Sequence, residues 1–232
     1  RQMCIRDSYW FGLSVRARVI VYAKDRVSKE ELSTYEDLAK PKWKGRIVVR
    51  SSNNIYNQSL MASIINANGN ENALKWAKSV RKNMARKPRG NDRDQARAVA
   101  SGVADLAIIN TYYLGLLANS SDKADREVAK KLNIFFPNQD GRGTHINISG
   151  AGILKNAPNK DNANSFIEFL ISKRVQKYMI DKSYEYSVLN DVPPSIEIAG
   201  FGTNFKEDQT SVRSFGELNP DAVKLMDRSG WK

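Results

Sequence analysis

The run Leu106-Ala107-Ile108-Ile109 constrains this chain more than any other stretch. Four consecutive apolar residues between polar neighbours read as a strand buried within a sheet. The run breaks at Asn110-Thr111 and presents Tyr112 and Tyr113 side by side at its carboxyl end. In open α/β sheets, ligands bind outside the carboxyl ends of strands. Two adjacent phenols at that place are either packing residues at a sheet edge or oxygen ligands. The run alone leaves both readings open.

A second junction of the same kind lies upstream. Arg46–Arg50 is a strand centred on Ile47-Val48-Val49, and Ser51-Ser52-Asn53-Asn54 follows as a polar turn rich in helix N-cap residues. The helix starts near Ile55-Tyr56, buries a stripe of Leu60, Met61, Ile64 and Ile65, and ends at Asn68-Gly69. Another helix follows, with Ala73, Leu74, Ala77 and Val80 on one face. Tyr56 therefore sits in the first turn of a helix that follows a strand. Further helices are expected from Asn91 or Asp92 to Gly102, after Tyr113, and through Ala163, Phe166, Ile167 and Leu170. Near the end, Asn219 is expected to cap a helix with Pro220 at its first position. Gly150 and Gly152 mark places of close backbone approach in a strand over His145–Leu154.

Strands and helices alternate throughout, which predicts parallel α/β layers. In the long strand Val15–Tyr22, Val15, Ala17, Val19 and Val21 alternate with Arg16, Arg18, Ile20 and Tyr22. That strand and His145–Leu154 bracket a unit of about 130 residues, roughly one domain. Two crossings at its ends predict a lobe joined to a second lobe by a two-stranded hinge.

Composition removes whole classes of chemistry. One cysteine, Cys4, and one histidine, His145, exclude a disulfide framework and a zinc site of the Cys/His type. No G-x-S-x-G elbow supports a Ser-His-Asp triad, so no enzyme activity is expected. Any metal site must use oxygen ligands with at most one imidazole. No apolar run approaches the roughly 18–20 residues of a membrane span. The net charge of 37 − 25 = +12 suits an anionic partner or surface. A single-strand nucleic-acid binder would need exposed aromatics among its basic residues. Here the aromatics fall mainly in apolar runs, so nucleic acid is not the expected partner. The basic stretch Arg81–Arg97 reads as a solvated surface or a docking face.

Several motifs coincide: Trp10-Phe11-Gly12-Leu13-Ser14, Pro41-Lys42-Trp43-Lys44-Gly45-Arg46-Ile47, Ser51-Ser52-Asn53-Asn54-Ile55-Tyr56-Asn57, Gly102 through Tyr113, and Leu225-Met226-Asp227-Arg228-Ser229-Gly230-Trp231. Together they resemble the periplasmic ferric-iron-binding proteins of ABC importers, the FbpA/FutA type and the FutA branch above all. The resemblance runs from about Tyr9 to Lys232, and Asn110-Thr111-Tyr112-Tyr113 is its most specific part. It implies an α/β, two-lobed periplasmic solute-binding-protein fold of the class II type that closes on Fe(III) like a hinge. It implies an extracytoplasmic, non-enzymatic role: delivery of iron to an ABC transporter permease by a monomer.

 In site residues it implies Tyr56, Tyr112 and Tyr113 as iron ligands, since family members place one tyrosine well before a tandem pair, and Tyr56 lies 112 − 56 = 56 residues before Tyr112 in the matching strand–loop–helix setting. Arg16 and Arg18 are candidates to support the ligands or to hold an accompanying (synergistic) anion. His145 does not match the family's ligand histidine and reads as a hinge-strand residue.

The resemblance also implies boundaries. Residues 1–14 would be an unrelated leader plus a remnant of the first lobe, 15–141 the second lobe, and 142–232 the return segment of the first lobe with the C-terminal helices. Family members carry a further first-lobe segment before the Trp-Phe-Gly stretch that supplies the remaining ligands. The expectation is therefore an N-terminally truncated chain with an incomplete first lobe and no signal peptide, whose leader includes Cys4.

The implied chemistry is coherent. Fe(III) is small and hard and favours anionic oxygen. A free phenol has a pKa of roughly 10 and is neutral at pH 7, but a bound cation stabilises its anion. Three phenolates would balance three positive charges without a carboxylate. A second reading keeps the fold and places an anion or a small organic solute at helix N-termini; Tyr56 with the tyrosine pair argues against it. A basic nucleic-acid-binding protein is the third.

Overall fold

The computed structural model describes residues 10–232; Cys4, Tyr9 and the leader expected over Arg1–Ser8 lie outside the described residues. The strands are β1 (Trp10–Ala23), β2 (Ile47–Val48), β3 (Leu106–Asn110), β4 (Leu132–Phe135) and β5 (Ile146–Gly152). The helices are α1 (Ile55–Asn83), α2 (Asp92–Ala100), α3 (Tyr112–Ala118), α4 (Lys123–Lys131), α5 (Lys160–Leu170), α6 (Lys173–Ser183), α7 (Ile196–Ala199) and α8 (Val212–Ser229).

β1 is long enough to belong to two sets of partners. Its first half, from Trp10 to Ala17, pairs antiparallel with β5. Its second half pairs antiparallel with β3 on one side and β4 on the other. β2 extends the sheet by pairing parallel with β3. The expected all-parallel layers are thus corrected to a mixed sheet. Burial patterns specify layers, and β1 fills its layer while running against all three of its neighbours. The pairing of β1 with β5 joins the two extended segments expected at the hinge. Close approach also occurs at Gly150, where a β-carbon would lie 2.1 Å from the Trp10 ring; only glycine lets that indole lie across the strand.

Alternation along the strands divides the core. Ile20 and Tyr22 of β1, with Leu106 and Ile108 of β3, face one cluster built on α1, Trp43 and α8. Val19 and Val21, with Ala107 and Ile109, face another built on α2, α3 and α4. Burying β3 on both faces explains its unbroken apolar run.

Three local outcomes refine the sequence reading. α1 consists of two helices that meet at Gly69, whose φ of 75° and ψ of 163° are non-helical. The helix end expected at Asn68-Gly69, with a second helix after it, is therefore what the backbone shows. α8 starts at Val212, capped by the Ser211 side chain, and Pro220 lies inside it. Asn219 is not a cap: its amide donates to Gln58 Oε1 at 3.3 Å. Phe215, Ala222, Leu225 and Met226 bury α8 against the α1 side of the core, and this packing carries the helix through the proline. α8 therefore sits with the body of residues 15–141, not beside α5 and α6.

Candidate metal centre

The backbone brings three tyrosines to one end of the sheet. β3 ends at Asn110, Thr111 already has helical φ and ψ of −53° and −46°, and α3 begins at Tyr112. A helix that starts without a linker frees two successive side chains from strand alternation. The rings of Tyr112 and Tyr113 lie 4.1 Å apart, centroid to centroid, and tilted by 31°. Tyr56 occupies the first turn of α1, where the Asn54 side chain accepts from its backbone N–H at 3.2 Å. That cap holds the entry of α1, and with it the Tyr56 ring. The Tyr112 hydroxyl interacts with those of both Tyr113 and Tyr56. The three sequence-predicted phenols therefore come together.

Two arginines flank them. The Arg16 guanidinium carbon lies 5.8 Å from the Tyr56 ring centre and 5.9 Å from that of Tyr112, and its Nε donates to Glu185 Oε1 at 2.7 Å. Arg50 lies against Tyr113 and donates to Asp92 Oδ2 at 2.6 Å. Burial pushes the Tyr112 phenol well above its usual pKa, and its bonds to Tyr113 and Tyr56 push it further. Burial also raises Tyr113, against the opposing pull of its bond to Tyr112. Without a cation the pair is neutral.

Arg18 lies beneath the phenols and does not open towards solvent. It is fully buried. Its guanidinium donates to Asp92 Oδ1 at 2.6 Å, Asn57 Oδ1 at 2.6 Å and Asn110 Oδ1 at 3.2 Å. Asn57 in turn donates to the carbonyls of Arg50 and Ser51. This network ties β1, the turn before α1, α2 and the end of β3 together below the phenols. Asp92, Asn57, Asn110, Arg50 and Glu185 escaped the sequence reading. The signal for them was a buried position, and polar residues near chain turns look solvated in sequence.

His145 stands apart. It is fully buried, with a Ser59 Oγ contact at Nε2 of 3.0 Å and an edge contact to Phe215. Burial lowers its pKa to about 3, so the ring is neutral. Its backbone joins the β1–β5 ladder through Arg18 N–H, which fits the expected hinge-strand position. Among the described residues no group of three or more His, Cys, Asp or Glu side chains could hold a metal ion. The phenols and the guanidiniums beside them make a hard, oxygen-rich site, suited to a trivalent cation or to a cation with an anion.

Residues 1–209 match the family of bacterial extracellular solute-binding proteins. The chain belongs to that family. Iron uptake protein A1 of Synechocystis is 52% identical over 97% of this chain, and Iron uptake protein A2 of the same organism is 46% identical over 97%. The chain spans 62% of the length of the first and 66% of the second. A Trichodesmium FutA (IdiA) structure in complex with iron and citrate superposes with a TM-score of 0.96 at 54% identity, covering 98% of this chain and 72% of that one. A ferric-binding protein from Campylobacter jejuni superposes at 0.91 with 47% identity, covering 98% and 72%. The fold is the two-lobed solute-binding type of these neighbours.

Proposed function

We infer that this chain is the iron-holding part of an extracytoplasmic Fe(III)-binding protein that delivers iron to an ABC transporter permease, with no catalytic step. The observation that carries this reading is the convergence of Tyr56, Tyr112 and Tyr113 at the carboxyl end of β3. Each phenol loses its proton to solvent as Fe(III) binds, so three neutral groups become three anionic oxygens around one cation. The three anionic oxygens balance the cation, and Arg16 and Arg50 keep their own partners, Glu185 and Asp92. Arg16, beside the Tyr56 and Tyr112 rings, is the candidate to hold an accompanying carboxylate or carbonate, while Arg18 positions the ligands from below.

The names of the relatives, which include iron uptake proteins and an iron- and citrate-bound neighbour, support the cargo. Residues 15–141 together with α8 form one lobe in this reading, and the residues from 142 to α7 belong to the return segment of the other. A monomer working in the periplasm fits a carrier that must exchange its cargo with a membrane partner.

Titration of the full-length protein with Fe(III) tests the proposal. The expected result is a visible phenolate-to-iron charge-transfer band that Tyr112→Phe and Tyr113→Phe each diminish and the double change abolishes. A colourless wild type, or colour unaffected by the double change, rejects it.

A further inference from the structure

A second charged feature lies on the outer side of α2 and uses none of the phenol ligands. The loop from Met84 to Asn91 and the body of α2 enclose a surface groove of about 590 Å³ lined by Arg86, Arg89, Asp94, Arg97, Ser101 and Val128, among others. The loop is held in place from within. Gln95, fully buried, donates to the carbonyls of Arg89 at 2.6 Å and Asn91 at 2.9 Å, and accepts from Arg86 Nη2 at 3.3 Å.

The charges of this groove are unevenly satisfied. Arg97 is engaged by Asp125 and Asp94. Asp94 is itself occupied by Arg97 and by the Asn91 backbone N–H. Arg86 and Arg89 make no side-chain ion pair among the described residues, although Asp94 attracts Arg86 through space, and Arg86 Nε is buried without any hydrogen bond. The two guanidiniums repel: burial first and Arg89 second lower the pKa of Arg86. A buried N–H without a partner and two like charges on a pinned loop are both relieved by one oxyanion. A neighbouring groove shares Ser101 and is lined by Lys24, Lys130 and Lys131 together with the Asp25–Arg26 pair.

We propose that the Arg86–Arg89 groove is an oxyanion site that takes a phosphate-type group, borne by a free anion or by a lipid headgroup. The arginine fork matches phosphate oxygens in pairs, and the lysines of the adjoining groove lie beside it. The site is independent of iron colour, so its failure and the failure of the iron reading are separately visible.

The test has two arms on the full-length protein. Inorganic phosphate is titrated calorimetrically at ionic strength held constant with chloride, and vesicles of phosphatidylglycerol in phosphatidylcholine are co-sedimented against pure phosphatidylcholine. The Arg86→Gln/Arg89→Gln variant is compared with Lys155→Gln/Lys160→Gln, which removes equal charge elsewhere on the surface. The expected result is binding in at least one arm, weakened about tenfold or more in the arginine variant and little changed in the lysine variant. A response to phosphate identifies a free anion, and a response only to anionic vesicles identifies a headgroup. No binding in either arm, or equal loss in both variants, overturns the proposal. Circular dichroism checks folding, and Arg89→Gln alone, at an exposed position, carries the test if the double variant does not fold.

Discussion

At the scale of single residues, the site depends on charges that solvent does not reach. Asp92 receives Arg18 on one oxygen and Arg50 on the other, both at 2.6 Å. Replacing it with alanine leaves Arg18 buried and short of its carboxylate. Breaking one side of a buried pair costs about 3–5 kcal/mol, so Asp92→Ala is expected to lower the stability measured by urea unfolding by that order. His145 gives a second residue-level prediction. Its folded pKa of about 3 is depressed below the ordinary value of 6.5. The unfolded chain takes up a proton first as pH falls, so this contribution is complete above about pH 6.5 and is lost progressively towards pH 3. The slope of unfolding free energy against pH in that window should flatten in His145→Gln relative to wild type. The pairing of Tyr56 with Tyr112 and Tyr113 was legible in sequence because the motif and the two strand–helix junctions coincided. The Arg18–Asp92–Arg50 network was not, because nothing in a residue's type states that its side chain is buried beneath a turn.

At the scale of elements, the phenols are placed by helix starts. The Asn54 cap fixes the first turn of α1, and losing such a cap typically costs about 1 kcal/mol. Asn54→Ala is therefore expected to destabilise by that amount and to weaken the iron band, because Tyr56 loses its fixed entry angle. Gly69 has open space around it but a backbone conformation reserved for glycine. Gly69→Ala should cost about 1–3 kcal/mol from the backbone alone, read from denaturant midpoints. Apolar periodicity revealed α1, α2 and α5 and the two-faced burial of β3. It did not reveal strand direction or the start of α8, because Phe215 and the turn around Ser211 carry too few apolar positions to mark a helix before Pro220 is reached.

At the scale of the whole molecule, cargo binding should follow proton release. Burial holds Tyr112 and Tyr113 neutral well into alkaline pH, so under the proposed function Fe(III) would displace their protons on binding. Apparent affinity is expected to rise with pH and to fall in acid, measured by competition with a chelator of known pH dependence. The relation reverses for stability without iron: phenols whose pKa is raised on folding favour the folded state below about pH 10 and cease to do so above it. The two-lobed plan was legible because two extended segments bracketed a domain-sized unit. The return of α8 across α1 was not, since an amphipathic helix does not announce which neighbour will cover it.

β1 has one more consequence, and it concerns time. Its partners β3, β4 and β5 begin at Leu106, Leu132 and Ile146, whereas β1 ends at Ala23. Among the described residues, no hydrogen-bonded neighbour of β1 in the sheet comes from its own part of the chain. Closing such distant pairings delays the rate-limiting step of folding. During synthesis the apolar edges of β1 stay unpaired until more than a hundred residues have emerged. The strand that unites the finished protein is therefore the one most in need of protection while the chain is still being made.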